Sequence, residues 1–444
     1  MKIVIAGAGE VGSHLARLLS REKQDVILID NNAERLAILD ADNNLMTLKG
    51  RPISFKTQKS SGADQCDLFI AVTPDETQNV LACSMAKSIG AKKTLARIDN
   101  YEFLDSNNRD YFMRLGVNSL IYPEYLAAHE IITALHRNWV RHWFEIHDGK
   151  LIIVGVKVRD NAKIIGMQLK EFAMVEHNFH VAAIKRRHDT IIPRGDDRIL
   201  PNDILYFVCT PEHVNELIDL CGKQQHRIRR VLVMGGSRIA ICLSALASDE
   251  FKIKLIENDM SKCRSLPETC PQCDIVHGDA RDIDTLREEG IMDTDAFIAL
   301  SDSSETNILT CLTAKELGVK KTIAEVEDLQ FISEAENLNI GTIINKKLIA
   351  SSSIFQILLD ADTGSSKCLA LADAEVAEIE VRPKSKITRG PVRSLDLPYG
   401  MTIAGLIRNN QGMLVTGNTV IEPGDYVVVF CLGGALHKIE KLFK

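Results

Sequence analysis

Short apolar runs alternate with helical periods over the first part of this chain. Ile3–Ala6, Val26–Ile29 and Phe69–Val72 are continuous apolar stretches, the pattern of strands covered on both faces. Between them, Glu10–Leu19, Ala33–Asp40 and Thr77–Ile89 space their apolar residues at the helical period. That alternation predicts a right-handed βαβ series around a parallel sheet, which places the chain in the α/β class. The stretch KIVIAGAGEVGSHLARLL, from Lys2, reads as strand, glycine turn and helix.

The pattern then repeats. LFIAVTPDETQNVLACSMAKSIGAKKTLARI from Leu68 matches AFIALSDSSETNILTCLTAKELGVKKTIAEV from Ala296, an offset of 228 residues. Phe69, Ile70, Ala71, Asn79, Leu81, Cys83, Ala86 and Lys87 all recur at that spacing, and so do the openings KIVIAGAGEVG and RVLVMGGSRIA at Arg230. Each copy closes alike, with IPRGDDRILPNDILYFV near Ile192 and LVTGNTVIEPGDYVVVF near Leu414. A glycine turn, a Pro-x-Asp turn and a final β-branched strand occur in both. The order is therefore a parallel-sheet domain and a small α+β module, each present twice, with boundaries expected near Trp139, Gln225 and Cys368 (1–138, 139–225, 226–368 and 369–444). Pro123–Arg137 and Ser351–Leu359 read as amphipathic helices joining the large and small parts, their apolar faces suited either to dimer contacts or to packing on their own domain.

In Gly7-Ala8-Gly9-Glu10-Val11-Gly12 the glycines fit the dinucleotide fingerprint: Gly7 for the tight turn, Gly9 for close approach of the pyrophosphate, Gly12 for helix–strand packing. The helix N-terminus behind them favours an anion. Asp30, next to Asn31, ends the following strand 18 residues past Gly12, where an acid binds ribose hydroxyls and repels a 2′-phosphate. NAD(H) is favoured over NADP(H); ADP or ATP fits the same pocket through its adenosine half. In the second copy Gly235-Gly236-Ser237-Arg238-Ile239-Ala240 keeps only the first fingerprint glycine, while Glu257 keeps the acid. Arg238 either offsets phosphate charge or points to solvent. The fourth strand delivers Ala71, Val72 and Thr73 to the switch point, where Thr73 either bonds ligand or caps the strand; Ser301 stands at the same place in the second copy. Arg97, at the end of the fifth strand, either reaches a phosphate or is a surface charge; the second copy has Glu325 there.

Composition narrows the classes. The net charge of −7, with signs interspersed, lacks the basic face of a nucleic-acid binder. No apolar run nears the ~18 residues of a spanning helix, and the first residues do not follow a secretory pattern. Action at a membrane would thus run through a partner. Eleven cysteines, scattered through apolar segments, fit reduced thiols. Cys263, Cys270 and Cys273 form the closest cluster, read as loop thiols rather than a redox pair or metal half-site, and no metal is expected. A hydride-transferring enzyme needs a substrate pocket and an acid–base group beside the nicotinamide. The module after the first loop domain is small, and its His177, His180 and His188 have no partner at triad-like spacing. Duplicating a nucleotide unit suits a sensor better than a catalyst, so no catalytic residue is assigned; a soluble NAD-dependent oxidoreductase is the alternative.

Fingerprint, acid, the block from Leu68 and the full duplication together resemble the TrkA family, cytosolic regulatory subunits of Trk-type potassium uptake systems built from two RCK (KTN) domains in tandem. The resemblance covers essentially the whole chain. It implies Rossmann-like RCK-N cores, each followed by an RCK-C module, a homo-oligomer (dimer or tetrameric ring) beneath an integral-membrane TrkH-like potassium channel subunit, and NAD(H) competing with ATP or ADP. Gly7, Gly9, Gly12, Asp30 and Arg97 match the family's loop, ribose acid and A-R-I/V arginine. Where the family commonly has Gly-Asp after the third strand, this chain has Gly50-Arg51 and, in the second copy, Gly278-Asp279. Arg51 either adds a phosphate contact or changes which nucleotide is preferred.

Overall fold

The apolar runs become six parallel strands: β1 (Lys2–Ala6), β2 (Asp25–Asp30), β3 (Leu45–Lys49), β4 (Leu68–Ala71), β5 (Lys93–Arg97) and β6 (Ser119–Ile121), in the order β3-β2-β1-β4-β5-β6. The chain is described by a computed structural model over residues 1–21, 24–40, 45–187, 189–338, 340–361, 366–371, 374–432 and 442–443, the last helical turns before 362 and the stretch 366–371 by their backbone. Ile3, Val4, Ile5, Leu28, Ile29, Phe69 and Ile70 have no exposed surface because helices cover both faces of the sheet. Side-chain caps set where these helices begin: Asn32 accepts from Glu34 N and Arg35 N ahead of Ala33–Leu39, and Asp75 from Gln78 N ahead of Glu76–Ile89.

An antiparallel sheet follows, β7 (His142–Ile146), β8 (Leu151–Lys157), β9 (His180–Arg186), β10 (Asp189–Ile191) and β11 (Ile204–Cys209), ordered β10-β9-β11-β8-β7. The second parallel sheet comprises β12 (Arg230–Met234), β13 (Lys252–Glu257), β14 (Asp274–His277), β15 (Ala296–Ala299), β16 (Lys321–Glu325) and β17 (Thr342–Ile344), with the strand order of the first. The last sheet holds β18 (Ser366–Leu371), β19 (Ala374–Glu380), β20 (Met401–Arg408), β21 (Gln411–Leu414) and β22 (Tyr426–Leu432). Its first strand spans the position of Cys368. The fold is tandem Rossmann-like parallel-sheet domains, each followed by a small antiparallel module.

The Pro-x-Asp turn shared by the modules has a structural reason. Asp203 takes two hydrogen bonds from the Arg186 guanidinium (2.9 and 2.7 Å), and Asp425 takes two from Arg408 (2.8 and 2.7 Å). The same carboxylates cap Leu200 N and Glu422 N, so each buried acid is satisfied from both sides.

Two compact units divide the chain: residues 1–127 with 346–358, and residues 128–345 with 359–444. In the second, the inner faces of the two antiparallel sheets share one core, with Ile153, Tyr206 and Val208 against Val376, Ala404 and Phe430. The helix expected over Ser351–Leu359 starts earlier, spanning Lys346–Ala361; its polar Lys346-Lys347 opening hides the first turn from an apolar-period reading. Its stretch 346–358 belongs to the unit of the first parallel sheet.

Candidate functional site

β1 hands the chain to Gly7 at φ +114°, where a Cβ would stand 3.0 Å from Thr73 N. Gly7 N–H donates to the Ile29 carbonyl and Val72 N–H to that of Ala6, each at 2.8 Å, so the turn is pinned between β2 and β4. At Gly12 a Cβ would lie 1.9 Å from the Gly7 oxygen, which leaves no room for a larger residue. Around Gly9 the reverse holds: nothing lies within 4 Å of where a Cβ would be. The second fingerprint glycine therefore borders open space at the start of helix Glu10–Arg21. Ala8 and Val11 are buried beneath the loop and Glu10 is exposed above it.

Asp30 is brought to this loop. Its carboxylate, 8% exposed, accepts Ala8 N–H at 2.6 Å and Asn32 N–H at 2.8 Å. Asn31 beside it is exposed, and so is Arg51, which follows the Gly50 that bonds the Asp30 carbonyl at 2.9 Å. Buried Ala71 and Val72 lead to Thr73, whose N–H (2.9 Å) and hydroxyl (2.7 Å) both donate to Asn79 Oδ1. The Asn79 amide donates in turn to the Thr73 and Arg97 carbonyls, each at 2.9 Å, clasping the ends of β4 and β5. Arg97 is only 22% exposed and pairs with Glu124 at 3.1 Å, on the first turn of helix Pro123–His136.

The second copy keeps the clasp and changes the loop surface. Gly235, at φ +96°, donates to Ile256 O, and Glu257 accepts Gly236 N–H (2.7 Å) and Asp259 N–H (2.8 Å), as Asp30 does. Asn307 holds Ser301 and Glu325 as Asn79 holds Thr73 and Arg97. Ser237, however, caps the helix, its hydroxyl accepting from Ala240 N, and Ala240 is buried in the place of Gly12. Ile239 is buried and Arg238 exposed. Gly235, Gly236, Ser237, Glu257, Asp279 and Ser301 line one cavity of about 260 Å³. Lys262 and Arg281 also line it and were not anticipated. Arg281 pairs with Asp279 through contacts of 2.6–3.0 Å and holds that carboxyl below its usual range. The signal for the asparagine clasps was available, since Asn79 recurs at the repeat spacing; Lys347, whose ammonium lies 2.9 Å from Glu10, had no such signal.

The other titratable candidates lie elsewhere. His177 is exposed, and His188 falls outside the described residues. His180 is pushed down to about 4 by burial, so it is neutral at pH 7. Cys263 is helical rather than in a loop, within Met260–Thr269; Cys270 is buried at that helix's end, and Cys273 Sγ lies 3.0 Å from Ser244 Oγ. Among the described residues no group of three or more His, Cys, Asp or Glu is placed to hold a metal ion, and no helix is long and apolar enough to cross a membrane.

A family model of the TrkA-N domain matches residues 3–123 and again 231–346, more than half of the chain, and the TrkA-C domain model matches 153–222 and 376–444. The chain belongs to the TrkA family. Among its TrkA relatives, the "Trk system potassium uptake protein TrkA" of Haemophilus influenzae is 29% identical over 454 residues, covering 100% of this chain and 99% of the relative. A TrkA homolog of Archaeoglobus fulgidus is 30% identical over 450 residues, covering all of both. The fold is also that of the GsuK RCK domain (TM-score 0.62, 16% identity, covering 100% of this chain and 94% of that one). The GsuK channel bound to NAD aligns similarly (TM-score 0.61, 15% identity, covering 100% and 78%).

Proposed function

We propose that this TrkA-family chain is a non-enzymatic, nucleotide-sensing regulatory subunit. It acts from the cytoplasmic face, as a homo-oligomer, on a Trk-type membrane potassium transporter or channel subunit. The observation that carries the reading is the first loop: a pinned glycine turn with open space at Gly9 and the Asp30 carboxylate 2.6 Å from Ala8 N. NAD(H) and ADP or ATP share the adenosine half that Asp30 and the loop would hold, with Gly7, Gly9 and the helix N-terminus on the phosphates. The full-length relatives named as potassium uptake proteins support the transport role, and GsuK, whose fold this chain shares, is seen bound to NAD and to ADP, which supports the nucleotide role. A nucleotide moves a conformational equilibrium only through unequal affinity for its states, so two nucleotides that differ beyond the adenosine can act in opposition.

Two measurements test the reading. In calorimetry, Asp30→Ala should weaken NADH and ATP binding about tenfold, the scale of one charge-assisted hydrogen bond; Glu257→Ala should alter it less. Vesicles carrying a Trk-type channel subunit should show nucleotide-dependent potassium flux only when this chain is added. Turnover of NAD with a metabolite, seen in nicotinamide absorbance, would instead establish the oxidoreductase.

A further inference from the structure

We propose that Lys347 is a specificity-determining residue of the first nucleotide site, its ammonium passing from Glu10 to the terminal phosphate of a bound nucleoside di- or triphosphate. The inference rests on the nucleotide reading of the Gly7–Gly12 loop given above.

Three observations support it. The first is position. Lys347 Nζ lies 2.9 Å from Glu10 Oε2, and Glu10 is the residue that follows the open Gly9 and begins the loop helix. A cation is therefore held beside the side chain of the first residue of the loop helix, brought there by a segment more than 300 residues away in the chain. The second is the weakness of the resting pair. The Lys347 side chain is 13% exposed and that of Glu10 is 66% exposed. A pair with one partner in water contributes little, and a carboxylate beside a phosphate loop opposes the ligand's charge. Turning the ammonium toward a phosphate sets a positive charge between that carboxylate and the ligand and forms a charge-assisted contact. The third is the duplicated frame. Glu124 and Lys347 each lie three residues past the strand ends Ile121 and Ile344, which pair with Arg97 and Glu325. At the position of Lys347 the other copy thus has an acid, and at the position of Glu10 it has Arg238. The arrangement of an acid on the loop and a cation from the helix is particular to the first site.

Selectivity follows from charge. A terminal phosphate carries nearly two negative charges at pH 7, as any phosphomonoester does. The diester pyrophosphate of NAD carries one per phosphorus and has no free end. Lys347 would favour ATP and ADP over NAD(H). Helix Lys346–Ala361 continues in the chain to β18 of the last module, so the residue that reads the phosphate sits on the segment leading there.

The test is calorimetric titration of the full chain with ATP and with NADH. Lys347→Met should weaken ATP about tenfold and NADH less than twofold, and Lys347→Arg should restore most of the ATP affinity. Glu10→Gln, an exposed change that leaves the fold intact, should tighten ATP severalfold and serves as the second variant if Lys347→Met melts early. Equal loss for both nucleotides, no loss for either, or weaker ATP binding in Glu10→Gln would overturn the proposal while leaving the loop assignment in place. If the wild-type chain binds neither nucleotide, the loop assignment fails and this inference goes with it.

Discussion

The two glycine loops share a backbone and differ in what covers it. In both, the acid ending the second strand accepts the N–H of the second loop residue (Ala8 to Asp30 at 2.6 Å, Gly236 to Glu257 at 2.7 Å), and an asparagine, Asn79 or Asn307, ties two strand ends together. These bonds hold the turn whether or not a ligand comes. The contrast lies at the helix N-terminus. Gly9 leaves its space open, whereas Ser237 places a hydroxyl there that accepts Ala240 N–H and meets part of the helix's own demand. The lesson is that the clasp preserves the fold, while the helix cap decides how much of the N-terminus remains for an anion. The second copy still encloses a cavity of about 260 Å³, but with the Asp279–Arg281 pair on its wall.

The largest effect should come from removing the glycine of the first loop with the least room around it. Gly12→Ala drives a methyl to 1.9 Å from Gly7 O and should destabilise the first unit by about 3 kcal/mol, read as an earlier melting transition. The mirror change, Ala240→Gly in the second copy, should cost only about 1 kcal/mol, as glycine in a helix does. Equal losses at the two sites would break the contrast. Next come the clasps. Asn79→Ala and Asn307→Ala each strip buried partners from two strand ends and should cost about 2 kcal/mol apiece in denaturant unfolding. Similar values would show that the shared scaffold is energetically shared as well; a near-zero value at either site would show that the clasp there is incidental.

The smallest effect separates the units by acid sensitivity. Burial lowers the folded pKa of His142 and His180, both in the second unit, to about 4. An unfolded histidine titrates near 6.5, so between pH 6.5 and 4 the unfolded chain binds more protons and stability falls as pH drops, levelling off below 4. Both tryptophans, Trp139 and Trp143, lie in this unit, so their fluorescence follows it alone. The midpoint of that signal should fall on acidification, and His180→Leu should flatten the slope by roughly 1 kcal/mol per pH unit within the window. An unchanged slope would remove His180 from the account.

Much of this was legible beforehand because it depends on local rules. Apolar runs of strand length, capped helices and glycines needed at a turn are imposed by backbone sterics and hydrogen bonding, and these recur at the repeat spacing. Arg97 marks where local reading stopped. A charge at a strand end reads as a phosphate contact or a surface residue, yet it lies against Glu124, 27 residues on, a pairing that no periodicity encodes. The polar start of helix Lys346–Ala361 was missed for a related reason, since Lys346 and Lys347 break the apolar period where the helix begins.

By itself, then, the order of residues determined the α/β class, the duplication, the loop with its acid and the Pro-x-Asp turns, because each depends on neighbours within one strand–turn–helix unit or on likeness between copies. The tertiary structure alone decided that the Asp30 carboxylate bonds Ala8, that Asn79 joins β4 to β5, and that Lys347 reaches Glu10 across more than 300 residues of sequence. Those contacts follow from which surfaces bury against one another, and burial is a property of the packed whole that no window along the chain contains.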